Sequence, residues 1–167
     1  MNSPHLAPIH LRFDSDPAHL EDIRLKSEAL AKAIGFDDRA IGEIGLCVNE
    51  AIANVIEHAY KFEKNRPIEF WAEHVPPAHH GGAPGIRVKV RDWGPGLDPS
   101  KLPQKPKDPL VPKGLGIICM KEMTDSMVYV PQTDGGVVLE LVRRVDHVTK
   151  RSEDVTVDPA AGTDGGG

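Results

Sequence analysis

Between Asp37 and Tyr60 the apolar residues Ile41, Ile44, Val48, Ile52, Val55 and Ala59 recur every three or four positions. That spacing predicts one amphipathic helix, capped at Asp37 or Asp38, because residues so spaced share a face. Such a face must be buried against another layer, so the segment constrains the chain to a layered fold. A second stripe, Glu43, Cys47, Glu50, Asn54 and His58, runs beside the apolar one. Glu50 and Asn54 stand one helical turn apart, one above the other. The stripe is open to two readings. It is an ordinary solvated face, or a carboxylate beside an amide oxygen that suits a hard cation sharing phosphate and water, as Mg²⁺ does.

The flanking sequence supplies the other elements. Ile9, Leu11 and Phe13 alternate with His10, Arg12 and Asp14, which predicts a short strand. Asp16-Pro17 opens a helix that runs to Ile34 and stops at Gly35. Strands follow from Pro67 to about Val75 and from Gly85 to Asp92, joined by the exposed loop PPAHHGGAPG. Residues 97–113 are too rich in proline for a long helix or a central strand. Pro103, Pro106, Pro109 and Pro112 fall at the three-residue repeat of a polyproline II helix, so this lid-like segment has an alternative use as a ligand for another domain. A helix from Gly114 to about Met123 and a hairpin, Ser126–Pro131 and Gly136–Arg144 through Asp134-Gly135, complete the series.

Two helices, two strands, a helix and a hairpin predict an α+β fold: a two-layer α/β sandwich with a mixed, mostly antiparallel sheet and helices on one face. Residues 1–147 read as a single domain with a lid at about 97–113, and 148–167 as a disordered polar tail. The chain of 167 residues is long enough for a core that needs no disulfide or structural metal. With 20 basic against 25 acidic residues and a net charge of -5, it lacks the overall positive field of a nucleic-acid binder. No apolar run is long enough to cross a bilayer, and the N-terminus has no secretory pattern, so a cytoplasmic location is expected. Cys47 and Cys119 lack metal or redox spacing and read as buried reduced thiols. His74, His79 and His80 crowd a Gly/Pro loop and read as solvated.

Two further motifs accompany the helix. Asp92-Trp93-Gly94-Pro95-Gly96 follows a strand directly, where glycines allow close approach of a flat ligand and a carboxylate can accept from an exocyclic amine. Alone, it is equally a tight turn. Lys113-Gly114-Leu115-Gly116 opens a helix, where free backbone N–H groups and a lysine suit phosphate; without a ligand it is a glycine-rich cap. GxGxxG after the first strand and GxxxxGK[ST] are both missing.

The three motifs occur in the order and on the elements of one family. EIGLCVNEAIANVIEHAY resembles the N box, RDWGPGL the G1 box and KGLGI the G2 box of the GHKL (histidine kinase-like) ATPases. The resemblance covers about residues 9–144, and the compact build is similar to the RsbW-type anti-sigma serine/threonine kinases. It implies a Bergerat-type fold that binds ATP and Mg²⁺. Glu50 would be the catalytic base on the hydroxyl being phosphorylated, and Asn54 the Mg²⁺ ligand. Asp92 would read the adenine amine, with Gly94, Gly96 and Leu97 beside it. Lys113, Gly114, Leu115, Gly116 and Ile117 would wrap the phosphates, and His58 would contact phosphate or cap its helix.

The implied partners are a STAS-domain anti-anti-sigma protein, a sigma factor and a second copy of the chain in a homodimer, with neither nucleic acid nor membrane. The sequence departs from the family pattern at Val137, where a hydroxyl supporting Asp92 is usual unless Thr133 or water supplies it, and at Lys113, where arginine is common. Alternatives are a histidine-kinase catalytic domain acting in trans, a stressosome-type serine kinase, or an ATP-binding interaction module with no sigma partner. The short leader before the N box, without a phosphoacceptor hairpin, speaks against the first of these.

Overall fold

Ile9–Asp14 forms strand β1, with Ile9, Leu11 and Phe13 packed toward the core. Asp16 accepts from the Ala18 amide as expected, but Pro17–His19 wind as a tighter 3-10 turn before helix α1, Leu20–Ile34. Such turns are common at helix starts, where the first amides have no partner one full α-turn back. Gly35 ends α1 at φ 112°, a conformation that glycine adopts without steric cost. Asp37 then caps α2, Asp38–Asn54, through a 2.8 Å bond from the Ala40 amide to its carboxylate. The computed structural model from which this description comes covers residues 6–102 and 115–148.

The predicted helix to Tyr60 is corrected at its end. Val55–Ala59 is a π-helical turn, and the Tyr60 amide bonds the Val55 carbonyl at 2.9 Å. The wider turn brings the Tyr60 ring into the core at 1% exposure. There its hydroxyl donates to the Pro67 carbonyl at 2.5 Å and accepts from the Trp93 amide at 2.8 Å. A local departure from α geometry is thus stabilised by burial and two hydrogen bonds. Such turns often sit at functional sites.

β2 (Pro67–Val75), β3 (Gly85–Arg91), β4 (Ser126–Pro131) and β5 (Val137–Arg144) join β1 in one sheet of order β1-β2-β3-β5-β4. Every pairing is antiparallel, so the sheet is more uniform than the mixed one expected. The register lines up Leu11, Phe70, Val90 and Leu139 in one row and Ile9, Ala72, Val88 and Leu141 in the next. These rows form the core face, and Ile44, Val48 and Ile52 of α2 with Ile23 and Leu30 of α1 close over it. Phe70 is completely buried, and Phe70→Ala would cost about 3–5 kcal/mol.

The opposite face carries the pairs His10–Glu69, Arg87–Glu73, Arg87–Glu140 and Lys89–Glu140. Their partial exposure limits each to roughly 1 kcal/mol or less. Helices therefore lie on one face, as predicted.

Helix α3, Leu115–Met123, packs beside α2 and sends Met120 into the core. The next core row, His74–Ile86–Arg143, ends in a charge. Arg143 is 5% exposed, and one guanidinium nitrogen, Nη1, donates to Glu43 Oε2 at 2.6 Å and to the Met123 carbonyl at 2.9 Å. That nitrogen joins α2, the end of α3 and β5. The proline repeat from Pro103 to Pro112, Lys113, Gly114 and the tail beyond Val148 lie outside the described residues.

Candidate functional site

The polar stripe of α2 is not a solvated face, because α3 lies over it. Cys47 is buried, and Glu43, Glu50 and Asn54 are only partly exposed. A Cβ placed on Gly116 would fall 2.1 Å from Glu50 Oε2, so the carboxylate rests against the first turn of α3. The unpaired amides of a helix start favour negative charge at that point. One turn beyond Glu50, the Asn54 Nδ2 atom is buried without a hydrogen-bond partner. The amide therefore presents unmet hydrogen-bonding capacity.

The second cluster gathers at the end of β3. Asp92 is 8% exposed, its amide donates to the Val137 carbonyl at 3.0 Å, and its Oδ1 accepts from the Gly94 amide at 2.8 Å. Burial pushes its carboxyl above the usual carboxylate range, while the Gly94 and Val137 backbone and the charges of Arg66 and Arg91 hold it down. Of two glycines here, Gly136 is sterically required and Gly94 is tightly packed. A Cβ on Gly136 would lie 1.9 Å from the Asp92 carbonyl oxygen, and one on Gly94 would lie 3.1 Å from Ala59 Cβ. Helix end, strand end and hairpin therefore meet closely at Asp92, with no room for a side chain on the hairpin side at Gly136.

The histidine kinase-like ATPase domain family matches residues 13–143, which contain both clusters. The chain belongs to that family. It is 27% identical to the serine-protein kinase RsbW of Bacillus subtilis over 152 residues, covering 84% of this chain and 91% of that protein. RsbW of Bacillus pumilus is 25% identical over 154 residues, with 84% and 91% covered. A crystal structure of RsbU and RsbW domains from Mycobacterium tuberculosis superposes with a TM-score of 0.55 at 19% identity, covering 83% of this chain and 32% of that one. That likeness supports the fold.

Within this histidine kinase-like ATPase domain, the predicted residues divide into three groups. Glu50 and Gly116 touch, and Asp92 and Gly94 are hydrogen-bonded. Gly96 follows in the same loop at φ 92°, with Leu97 beside it at 36% exposure. Leu115 is exposed, and Ile117 packs against the core. His58 lies on the π-turn, exposed, with its ring 4.0 Å from the Glu57 carboxylate. Lys113 and Gly114 are outside the described residues.

Thr133 is exposed in the β4–β5 turn, while the buried Val137 lies beside Asp92, so the hydroxyl missing at Val137 has no described replacement in Thr133. Trp93 packs on the sheet, its ring between the Arg12 and Arg91 guanidinium groups at 5.2 and 4.4 Å.

Sequence reasoning missed Tyr60, which joins the π-turn to the loop after Asp92. Tyr60 read only as the last residue of a helix. A tyrosine closing a long helix just before a turn was the available clue.

Proposed function

We propose that the chain binds ATP between these two clusters and transfers its γ-phosphoryl group to a serine or threonine of a partner protein. The observation that carries the reading is the covered stripe: Glu50 held against the α3 start, with the unpaired Asn54 amide one turn away. Asp92 would accept from the adenine amine, with Gly94 and Gly96 letting the ring approach. Leu115, Gly116 and Ile117, with Lys113 and Gly114 before them, would present backbone amides to the phosphates.

The donor set fits Mg²⁺. No three His, Cys, Asp or Glu side chains cluster as a metal cage among the described residues, and a cation shared with phosphate needs only one or two protein ligands. Asn54 would hold it through its amide oxygen, and when bound it would neutralise phosphate charge. The chain's own part is then positioning and one proton: Glu50 accepts the hydroxyl proton at a carboxylate oxygen as the phosphoryl group leaves ADP.

The named relatives are serine-protein kinases. By that likeness the substrate is a STAS-domain anti-anti-sigma protein, and the chain, as a homodimer, also sequesters a sigma factor. Phosphorylating the antagonist would free the kinase to hold sigma.

The test is incubation with γ-labelled ATP, Mg²⁺ and the STAS-domain proteins of the same genome. Label on serine or threonine, lost in Glu50→Gln while nucleotide binding persists, is the expected result. Label on histidine, or transfer undiminished in Glu50→Gln, would overturn it.

A further inference from the structure

Two contacts fix how α3 lies along α2. Glu50 meets Gly116, and seven residues away on each helix Glu43 meets the end of α3 by way of Arg143 and the Met123 carbonyl. As the α2 position falls from Glu50 to Glu43, the α3 position rises from Gly116 to Met123. The helices are therefore antiparallel along this seam, in matched register. Cys47 is three residues before Glu50, and Cys119 is three residues after Gly116. The register places these two cysteines opposite one another, one turn from Glu50.

They are the only cysteines of the chain, and both are free thiols. Cys47 is buried and Cys119 half-buried, so one of the two is open to a reagent. The electrostatics agree with the placement: Cys47 feels the charges of Cys119 and Glu50, and Cys119 feels that of Glu50. Glycine at 116 removes a side chain from the same seam, which lets the helices approach closely one turn from the two cysteines.

We propose that Cys47 and Cys119 are an oxidation site that closes to an intramolecular disulfide and fixes α3 against the Glu50 end of the site. The oxidant class is a low-molecular-weight disulfide. The Cys119 thiolate attacks one of its sulfurs, forming a mixed disulfide and expelling one thiolate. The Cys47 thiolate then attacks Cys119 Sγ, forming the Sγ–Sγ bond and expelling the second. Both cysteine protons end on the two small thiols released, and the two electrons lost by the cysteines reduce the reagent.

Burial pushes the Cys47 thiol up to about 12 and raises Cys119 too, so closure is slow at neutral pH and faster as pH rises. The functional consequence rests on the nucleotide reading above. Phosphates entering at the start of α3 need Gly116 and Glu50 to part, and the cross-link holds them together.

The full chain is treated with oxidised glutathione at mildly alkaline pH, digested without reduction and mapped by mass. A Cys47–Cys119 peptide pair lighter by two hydrogens is expected, formed by the wild type and by neither Cys47→Ser nor Cys119→Ser. A fluorescent ATP analogue should bind the oxidised chain about tenfold more weakly, within the usual range for coupled sites, and reducing agent should restore binding.

Glutathione adducts that persist on Cys119 without closing would overturn the pairing. A closed disulfide with unchanged analogue affinity would overturn the coupling to Glu50. If the analogue binds neither form while the cross-link appears, the nucleotide reading fails and the oxidation site stands.

Discussion

The two ends of the candidate site are built differently. Around Asp92 three successive amides are held: the Asp92 amide by the Val137 carbonyl, the Trp93 amide by the Tyr60 hydroxyl, and the Gly94 amide by the Asp92 carboxylate. Gly136 packs against the Asp92 carbonyl so closely that any side chain would displace it, and Gly94 packs tightly on Ala59. Around Glu50 the structure instead leaves capacity unspent, in the buried Asn54 amide one turn from the Glu50–Gly116 contact. A base-reading pocket works by fixed shape, so it is finished before the ligand arrives. A phosphate site must let charge in and out, so part of its hydrogen bonding waits for the ligand.

That contrast can be broken in order of effect. Glu50→Gln should lower phosphoryl transfer about 10²–10⁴-fold, the span of general-base catalysis, with little change in ATP affinity by titration. Equal losses in both would mean that Glu50 holds the ground state and the two ends are not separate. Gly136→Ala adds a methyl 1.9 Å from the Asp92 carbonyl at a residue whose φ is 77°. Overpacking and left-handed strain together should remove about 2–5 kcal/mol of stability, read by denaturant unfolding. An unchanged midpoint would show that the Asp92 end is soft.

Asp92→Asn should weaken ATP about ten- to a hundredfold while leaving inorganic phosphate unaffected, since a charge-assisted bond is lost only at the base. Calorimetry with both ligands separates the ends. Tyr60→Phe strands the Trp93 amide and the Pro67 carbonyl and should cost about 1–3 kcal/mol, without altering Glu50 chemistry.

The smallest effect is on pH. The Asp92 carboxyl is raised by burial, so on acidification it takes a proton sooner than an exposed aspartate. On the proposed reading the adenine amine bonds the ionised form, so ATP affinity should begin to fall above the ordinary aspartate range. Asp92→Asn should flatten that part of the profile.

Much of this was legible in the sequence because it rests on local rules. Asp16, Gly35 and Asp37 marked helix limits through capping chemistry, and alternation of Ile9, Leu11 and Phe13 gave the core face of β1. Glu50 stood out by its one-turn spacing from Asn54, and Asp92 by its place at a strand end before two glycines. What stayed hidden depends on distant partners. The spacing of Val55 and Ala59 reads the same for an α-turn and a π-turn, and only Tyr60's burial decides between them. Arg143 interrupts an apolar row for no local reason, until Glu43 and Met123 are found beside it. The polar stripe was ambiguous for the same cause, since its meaning lies in what α3 covers.

The π-turn has a consequence for how this chain can vary. It holds one residue more than an α-turn would over the same rise, so it shifts the phase of everything after it. Rewinding Val55–Ala59 as a regular α-turn with the same residues would carry Tyr60 about a hundred degrees round the helix and off the core. The Trp93 amide would lose its anchor, although no residue near Asp92 had changed. The winding of this short stretch therefore matters more than its exposed side chains: substitutions at Glu57 and His58 should be tolerated in the fold as long as the wider turn is kept.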